Sequence, residues 1–230
     1  MRRISLYGVL FIFFMFFFFG CGGKPSSMEG KIVDGKGEPL NKVKIAAKMT
    51  QPIKGYEQFE TTTGSDGTFK FKKLFPTSEY QLIFYSDRWQ KEKRIKIESG
   101  PEGQTKLLPE PLTIRFMDAK EGVVVDTKTG LMWAARHNGS DINWYSAKSY
   151  CENYRGGGYA GWRMPTQDEL AGLYAGKGHE AGINLTDCCP WASETRGSAS
   201  ANFDFALGAR LWLPPSYDYR SRAVPVRSGK

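Results

Sequence analysis

The stretch Cys151-Glu152-Asn153-Tyr154-Arg155-Gly156-Gly157-Gly158-Tyr159-Ala160-Gly161-Trp162-Arg163-Met164-Pro165-Thr166 decides how the second half of this chain is read. A triple glycine beside a cysteine is compatible with a phosphate cradle, a thiol active site or a tight connection between two helices. Phosphate-binding loops place their glycines just before a helix, commonly with a Lys-Ser/Thr pair behind them. Here the glycines leave one helix, and Trp162-Arg163-Met164-Pro165 intervenes before the next. Upstream, Trp144, Ala147, Tyr150 and Cys151 share a helical face behind Asn143, a good N-cap. Downstream, Thr166 and Glu169 make a capping box for a helix whose Leu170, Leu173 and Tyr174 point inward. The glycines therefore read as a sharp helix-to-helix connection. Trp162 is expected in the core, Arg163 beside a buried acid or carbonyl, and Pro165 and Thr166 at the start of the next helix.

Around this helical pair the segment is strand-rich. The stretch Val123–Trp133 reads as strand, turn, strand. Trp191–Glu194, Ala201–Phe205 and Ala223–Arg227 read as further strands joined by long loops. Two helices among such strands predict an α+β domain over residues 116–230. Before it, residues 28–115 carry short alternating segments and turn signals. These include Val43-Lys44-Ile45-Ala46-Ala47, Thr68-Phe69-Lys70-Phe71 and Tyr80-Gln81-Leu82-Ile83-Phe84-Tyr85, with no helical pattern between them. That spacing predicts an all-β sandwich of about seven strands, with Asp66-Gly67 marking a hairpin. Lys91, Lys93, Arg94 and Lys96 read as a solvated strand face. The punctuation Gly100-Pro101-Glu102-Gly103 and Pro109-Glu110-Pro111 lies near the boundary.

The first twenty residues, with Arg2 and Arg3 followed by an apolar run of about 14 residues, are too short for the ~20 that cross a bilayer and read as an export signal. Gly20-Cys21 then resembles the lipobox of bacterial lipoproteins, with Cys21 the lipidated residue and 21–27 a flexible tether. Phe18 and Phe19 depart from the usual box. By resemblance to sorting signals, the missing Asp after Cys21 implies the outer membrane, so the expected setting is an exported envelope protein, periplasmic or surface-facing, held to the membrane by its lipid.

Formal charge is +8, from 32 basic and 24 acidic residues. The excess sits mainly between residues 28 and 115, with sixteen basic against twelve acidic residues, and is nearly balanced afterwards, at thirteen against twelve. Such a surface suits anionic polymers, but no dense basic run or nucleic-acid motif accompanies it, so nucleic acid is not an expected partner. Besides Cys21 the chain has Cys151, Cys188 and Cys189. In an oxidising compartment a bridge from Cys151 to Cys188 or Cys189 is expected. His137 and His179 are scattered, which leaves no metal-binding spacing and no recognisable base for a cysteine nucleophile. No catalytic residue, metal or cofactor is expected.

Two family resemblances add to this reading. Gly30-Lys31-Ile32-Val33-Asp34, Glu38-Pro39-Leu40-Asn41-Lys42-Val43-Lys44-Ile45, Thr63-Gly64-Ser65-Asp66-Gly67-Thr68-Phe69-Lys70-Phe71 and Tyr80-Gln81-Leu82 resemble the carboxypeptidase-regulatory-like, or prealbumin-like, sandwich, which implies a non-catalytic spacer. From Val123 onward the order V-x-D-x-x-T-G-L-x-W, W-x-x-A-x-x-Y-C, G-W-R-x-P-T-x-x-E-L, W-x-S-E, F-x-F-x-x-G and a terminal R-x-V-x-V-R resembles the Lcl C-terminal family. That resemblance implies a C-type-lectin-like fold related to formylglycine-generating enzymes, and binding of sulfated or otherwise anionic polysaccharides. The chain departs from the family in lacking a cysteine within Arg222–Arg227 and in placing Cys188 and Cys189 side by side before Trp191. It also lacks the Glu-Pro-Asn, Gln-Pro-Asp and Trp-Asn-Asp signatures of calcium-dependent lectins.

Sugar rings stack on aromatic faces and anionic groups pair with arginine. The aromatic and arginine cluster of the last third, Trp191, Arg196, Arg210, Trp212, Tyr217, Tyr219, Arg220 and Arg222, is the expected binding face for an anionic glycan or envelope polymer. A purely structural envelope lipoprotein that meets a protein partner is the competing expectation, and a thiol-dependent enzyme the third.

Overall fold

The computed structural model describes residues 23–178, 182–185 and 189–229. Eight strands build the first half: β1 (Ser26–Asp34), β2 (Lys44–Met49), β3 (Gln58–Thr62), β4 (Thr68–Leu74), β5 (Glu79–Tyr85), β6 (Lys93–Glu98), β7 (Thr105–Leu107) and β8 (Leu112–Ile114). One sheet runs β4-β1-β7, with β8 also paired to β1, and the other runs β3-β2-β5-β6. Their inner faces share one core: Met28 and Ile32 from β1 and Phe69 and Phe71 from β4 meet Ile45, Tyr80, Leu82 and Phe84 from β2 and β5. The period-two pattern explains this directly, since Phe69 and Phe71 are buried while Thr68, Lys70 and Lys72 between and beside them face solvent. The sequence-predicted sandwich is therefore present.

Two details differ from the sequence reading. Asp66-Gly67 does form a turn: Asp66 Oδ1 accepts from Thr68 N at 3.0 Å, and Gly67 sits at φ +77°. A Cβ there would stand 2.5 Å from Ile32 O, so glycine is required twice over. Yet the turn joins β3 of one sheet to β4 of the other, so it is a crossover between layers and not a hairpin. Second, Ser26 and Ser27 do not belong to a loose tether. They open β1, opposite Leu74 and Thr105, and Ser27 N donates to Gln104 O at 2.9 Å.

The second half has a four-stranded antiparallel sheet in the order β15-β11-β10-β9, from β9 (Phe116–Asp118), β10 (Val123–Asp126), β11 (Leu131–Ala134) and β15 (Val226–Ser228). Its second sheet is the meander β12 (Trp191–Arg196), β13 (Ala199–Asp204) and β14 (Ala209–Leu213). Between them lie α1 (Trp144–Asn153) and α2 (Gln167–Ala175). Both predicted caps form. Asn143 Oδ1 accepts from Ser146 N at 2.9 Å, and Thr166 and Glu169 make the reciprocal box. On one face of the meander Leu170 and Leu173 of α2 pack with Ala192, Ala201 and Phe203. On the other, Ala147 and Cys151 of α1 pack with Trp191, Met164 and Ala223.

The glycine run is the connection between these helices. Gly157 and Gly158 take φ +66° and +72°, and a Cβ on Gly156 would fall 2.4 Å from the Tyr154 ring. Tyr154 meets Trp162 edge-on at 4.9 Å, and Trp162, 2 % exposed, donates Nε1–H to Tyr159 O at 3.0 Å. Arg163 forks onto Glu169 at 2.8 and 2.6 Å and also reaches Met164 O.

At the junction of the halves, Arg115 donates Nε–H and Nη2–H to the two oxygens of Asp126 at 2.8 and 2.7 Å, and Nη2 also reaches Gly172 O. The same carboxylate accepts from Lys128 N and Thr129 Oγ1, which shapes the turn of the V-x-D-x-x-T-G motif. Thr127 Oγ1 accepts from Gly35 N at 2.7 Å, and Lys93 pairs with Asp118. The turn that starts the second half is thus also the contact that holds the first. No helix among the described residues is long and apolar enough to cross a membrane.

Candidate functional site

The eight predicted ligand residues separate into three groups. Trp191 is completely buried, part of the core on the α1 side of the meander, with its Nε1–H donated to Ile142 O at 2.8 Å. It is a packing residue and leaves the binding face. Arg222 is also structural: its guanidinium pairs with Asp141, and its backbone exchanges bonds with Trp191 N and Cys189 O. The hydrogen bond from Arg222, followed by one from the Arg220 backbone, holds the Asp141 carboxyl below its ordinary range.

Arg196, Arg210 and Trp212 lie on the α2 face of the meander. Cross-strand register places Arg210 opposite Phe203 and Trp212 opposite Ala201, both of which pack toward α2. Arg210 pairs with Asp168 of α2 at 2.6 Å, and both side chains are well exposed. Trp212 is only 38 % exposed at this edge. Tyr217, Tyr219 and Arg220 sit on the opposite side, in the loop that follows β14. The structure therefore does not gather the predicted cluster into one face.

What the last three residues do share is a cavity of about 240 Å³ with Cys189, Asn202, Asp204, Leu211, Leu213 and Ser221. Alternation along β13 and β14 builds its floor. Phe203 and Phe205 turn to the α2 core, so Asn202 and Asp204 turn the other way, and Leu211 and Leu213 lie across from Asn202 and Ser200. The roof is the 214–221 loop, pinned at both ends. Trp144 N donates to Pro215 O at 3.0 Å at one end, while at the other Ser221 is buried and Ile142 N donates to Ser221 O at 3.2 Å. Between the pins, Arg220 takes a left-handed φ of +54°, and Tyr219 stays 64 % exposed. Asn202 and Asp204 were absent from the sequence-level candidates. The signal for them was the F-x-F alternation itself, which sends its intervening polar residues to the face opposite the phenylalanines.

The cysteines also differ from expectation. Cys151 is a free thiol, wholly buried in the α1 core, so the predicted bridge from Cys151 is not formed. Its side chain points into the packing between Ala147, Met164 and Trp191, and burial pushes the thiol up to about 12. Cys189 is disulfide-bonded, to a partner sulfur beyond the described residues. Cys188, the alternative half-cystine, and Cys21, the expected lipidation site, both lie outside the described residues.

Two other cavities frame the choice of site. One, about 670 Å³, lies between the halves, and its lining includes Lys91, Lys93, Arg94 and Arg115. Three of its cations are engaged with protein acids, Lys93 with Asp118, Arg94 with Glu92 and Arg115 with Asp126, while Lys91 and Lys177 also border it, and it reads as an interdomain seam. A third cavity, about 280 Å³, is bordered by Trp144, Lys148, Glu152, Arg163 and Thr166. Its indole is tied to Ala192 O and its arginine to Glu169. Among the described residues no group of three or more His, Cys, Asp or Glu side chains could hold a metal ion.

Solved structures similar to this chain include a DUF3823 family protein from Bacteroides ovatus ATCC 8483, at 16% identity and a TM-score of 0.30, covering 47% of this chain and 54% of that protein. A DUF3823 family protein from Parabacteroides merdae ATCC 43184 is 21% identical with a TM-score of 0.31, covering 48% of this chain and 56% of the other. An intimin mutant of EHEC O157:H7 is 13% identical with a TM-score of 0.32, covering 72% and 71%. The chain spans about half the length of the two DUF3823 proteins, and likenesses at these scores carry no argument about function. No curated protein matches the chain. Residues 122–224, which run from the start of β10 to the segment before β15, match the model of the Lcl C-terminal domain family, and it is to that family that the second half of this chain is similar.

Proposed function

We propose that this is an exported, lipid-anchored envelope protein whose second half binds an anionic glycan or envelope polymer without chemically altering it. In this reading the sandwich is a spacer that holds the binding half off the membrane, and its N-terminal strand follows almost directly on Cys21. The observation that carries the proposal is the pinned loop with Tyr217, Tyr219 and Arg220 set around a cavity. Aromatic faces, a guanidinium and polar floor groups converge there on a concave surface. The similarity of residues 122–224 to the Lcl C-terminal family supports assigning the binding role to this half, and a C-type-lectin-like architecture belongs to the same proposal. Nothing in the reading requires a nucleophile, since the buried Cys151 thiol is held protonated.

Titrating the soluble chain from residue 23 with heparin-like and neutral polysaccharides tests the proposal. Binding to the anionic polymer that weakens in Tyr219→Ala and in Arg220→Ala is expected. Absence of binding to any glycan, or binding untouched by both substitutions, would sink it.

A further inference from the structure

The chain leaves almost no slack between Cys21 and the sandwich. Lys24 is already held by the fold: its backbone N–H donates to Glu102 Oε1 at 2.8 Å, and its carbonyl accepts from Gly103 N at 3.1 Å. Ser26 then opens β1 opposite Leu74. Cys21 and Lys24 are three residues apart, a reach of at most ~11 Å at ~3.6 Å per residue. A headgroup layer is about 5–8 Å thick on each side of a bilayer. A chain lipidated at Cys21 therefore cannot lift this end of the sandwich more than a few ångströms clear of it.

Strand direction decides which loops share that end. Leu74 runs on into Phe75, and Thr77 N donates to Gly100 O at 3.0 Å. The 50–57 loop is tied to the same place, since Tyr56 packs edge-on against Phe75 at 5.1 Å and Tyr80 Oη donates to Tyr56 O at 3.4 Å. Tyr56 N–H also donates to Ile53 O at 2.9 Å, which closes a turn through Lys54 and Gly55, the glycine at φ +88°. Ile53 is 38 % exposed on this turn, behind an exposed Pro52. Around it Lys24, Lys54, Lys72 and Lys73 are exposed and enter no ion pair among the described residues. The acids here are differently placed. Glu57 and Glu102 accept from the backbone N–H groups of Gly55 and Lys24, Glu79 pairs with Lys96, and Glu98 lies opposite Glu79.

The second half is attached at the other end of β1. Asp34 pairs with Ile114 there, and Gly35 N donates to Thr127 Oγ1 at 2.7 Å. The nine residues of β1 rise roughly 26 Å at ~3.3 Å per step.

We propose that the Cys21 end of the sandwich is a membrane-docking surface. Ile53 sits among phospholipid headgroups, the four lysines meet their phosphates, and β1 stands outward with the second half at its far end. Apolar burial together with cationic attraction is the combination that holds a protein at the bilayer–water boundary. The inference rests on the lipid-anchor reading above and is independent of what the second half binds.

The test uses the lipidated full chain in vesicles of phosphatidylethanolamine and phosphatidylglycerol that carry a headgroup nitroxide quencher. An environment-sensitive dye is attached at Ile53→Cys or at Ser146→Cys, with the unsubstituted chain setting the background from native cysteines. Ser146 is an exposed residue of α1, across the meander from α2, the helix that touches Arg115 at the junction. With the ends of β1 roughly 26 Å apart, quenching at position 53 should exceed that at position 146 about threefold or more. Equal quenching at the two positions, or stronger quenching at 146, overturns the docking surface and leaves the anchor standing. A full chain that does not float with the vesicles overturns both. Should a labelled variant fail to fold, hydrogen–deuterium exchange of the unsubstituted lipidated chain decides. Exchange across residues 51–56 should then be slower on vesicles than in the chain from residue 23 in solution, and equal exchange overturns the proposal.

Discussion

Replacing Asp126 by asparagine tests the junction on which the second half depends. Asp126 is 2 % exposed, and its partner Arg115 keeps 16 % of its side-chain surface in solvent. The pair makes two short charge-assisted bonds, and Asp126 additionally accepts from Lys128 N and Thr129 Oγ1. Asparagine keeps one carbonyl oxygen for the turn but removes the charge and leaves the guanidinium facing an amide. Breaking one side of a buried ion pair costs roughly 3–5 kcal/mol, and the residual solvent at Arg115 places this case near the lower end, about 3 kcal/mol. For a chain of this size that is a fall in Tm of about 6–12 °C.

The dependence on pH has a definite sign. Burial alone would raise the Asp126 carboxyl, but hydrogen bonds from Arg115 and Thr129, with the guanidinium charge, hold it below its ordinary range. A carboxylate depressed in the folded state contributes stability that is complete above its unfolded value of ~3.9 and is lost as pH falls through the lower folded value. Urea unfolding of wild type and Asp126→Asn should therefore show a gap that is constant above about pH 5 and narrows below about pH 4. A gap under about 1 kcal/mol at neutral pH, or one that widens on acidification, would mean that the Arg115–Asp126 pair does not hold the junction.

Three further outcomes follow from the same packing. Cys151 should resist alkylation at pH 8 in the native protein, where a thiol raised to about 12 is almost wholly protonated, and react promptly in urea; fast native labelling would contradict its burial. Thr166→Ala removes half of the α2 capping box and should cost about 1 kcal/mol in chemical denaturation, with Thr166→Ser restoring most of it. Tyr219→Ala, at a side chain 64 % exposed, should leave stability within about 0.5 kcal/mol while weakening glycan binding, so that a large fall in Tm would reassign Tyr219 to the fold.

Local chemistry was legible in the sequence. The caps of α1 and α2, the glycine connection and the buried Trp162 all depend on neighbours within a few residues, and each appears where the pattern put it. Layering was less legible, because Asp66-Gly67 declares a turn but not which sheet receives the next strand. Depth at the site was the least legible. Trp191 and Trp212 are the same residue type in the same region, yet one is sealed behind α1 and the other lies at a sheet edge. Only pairing distinguishes them: Trp191 opposes Asn202 on one face of β13, and Trp212 opposes Ala201 on the other. The same faces separate Arg210 from Arg220, and the strand Ala209–Leu213 that carries this division had no alternation strong enough to mark it. Cys151 illustrates a third limit, since a secreted setting predicts a bridge while the helical face carrying this cysteine is buried away from one.

Hydrogen–deuterium exchange of the chain from residue 23, with and without a heparin-derived oligosaccharide, locates any bound glycan strand by strand. Slowed exchange is expected only in β13, β14 and the 214–222 loop, with the sandwich strands unchanged. Protection limited to residues 26–114, or none at all with saturating ligand, would contradict that expectation.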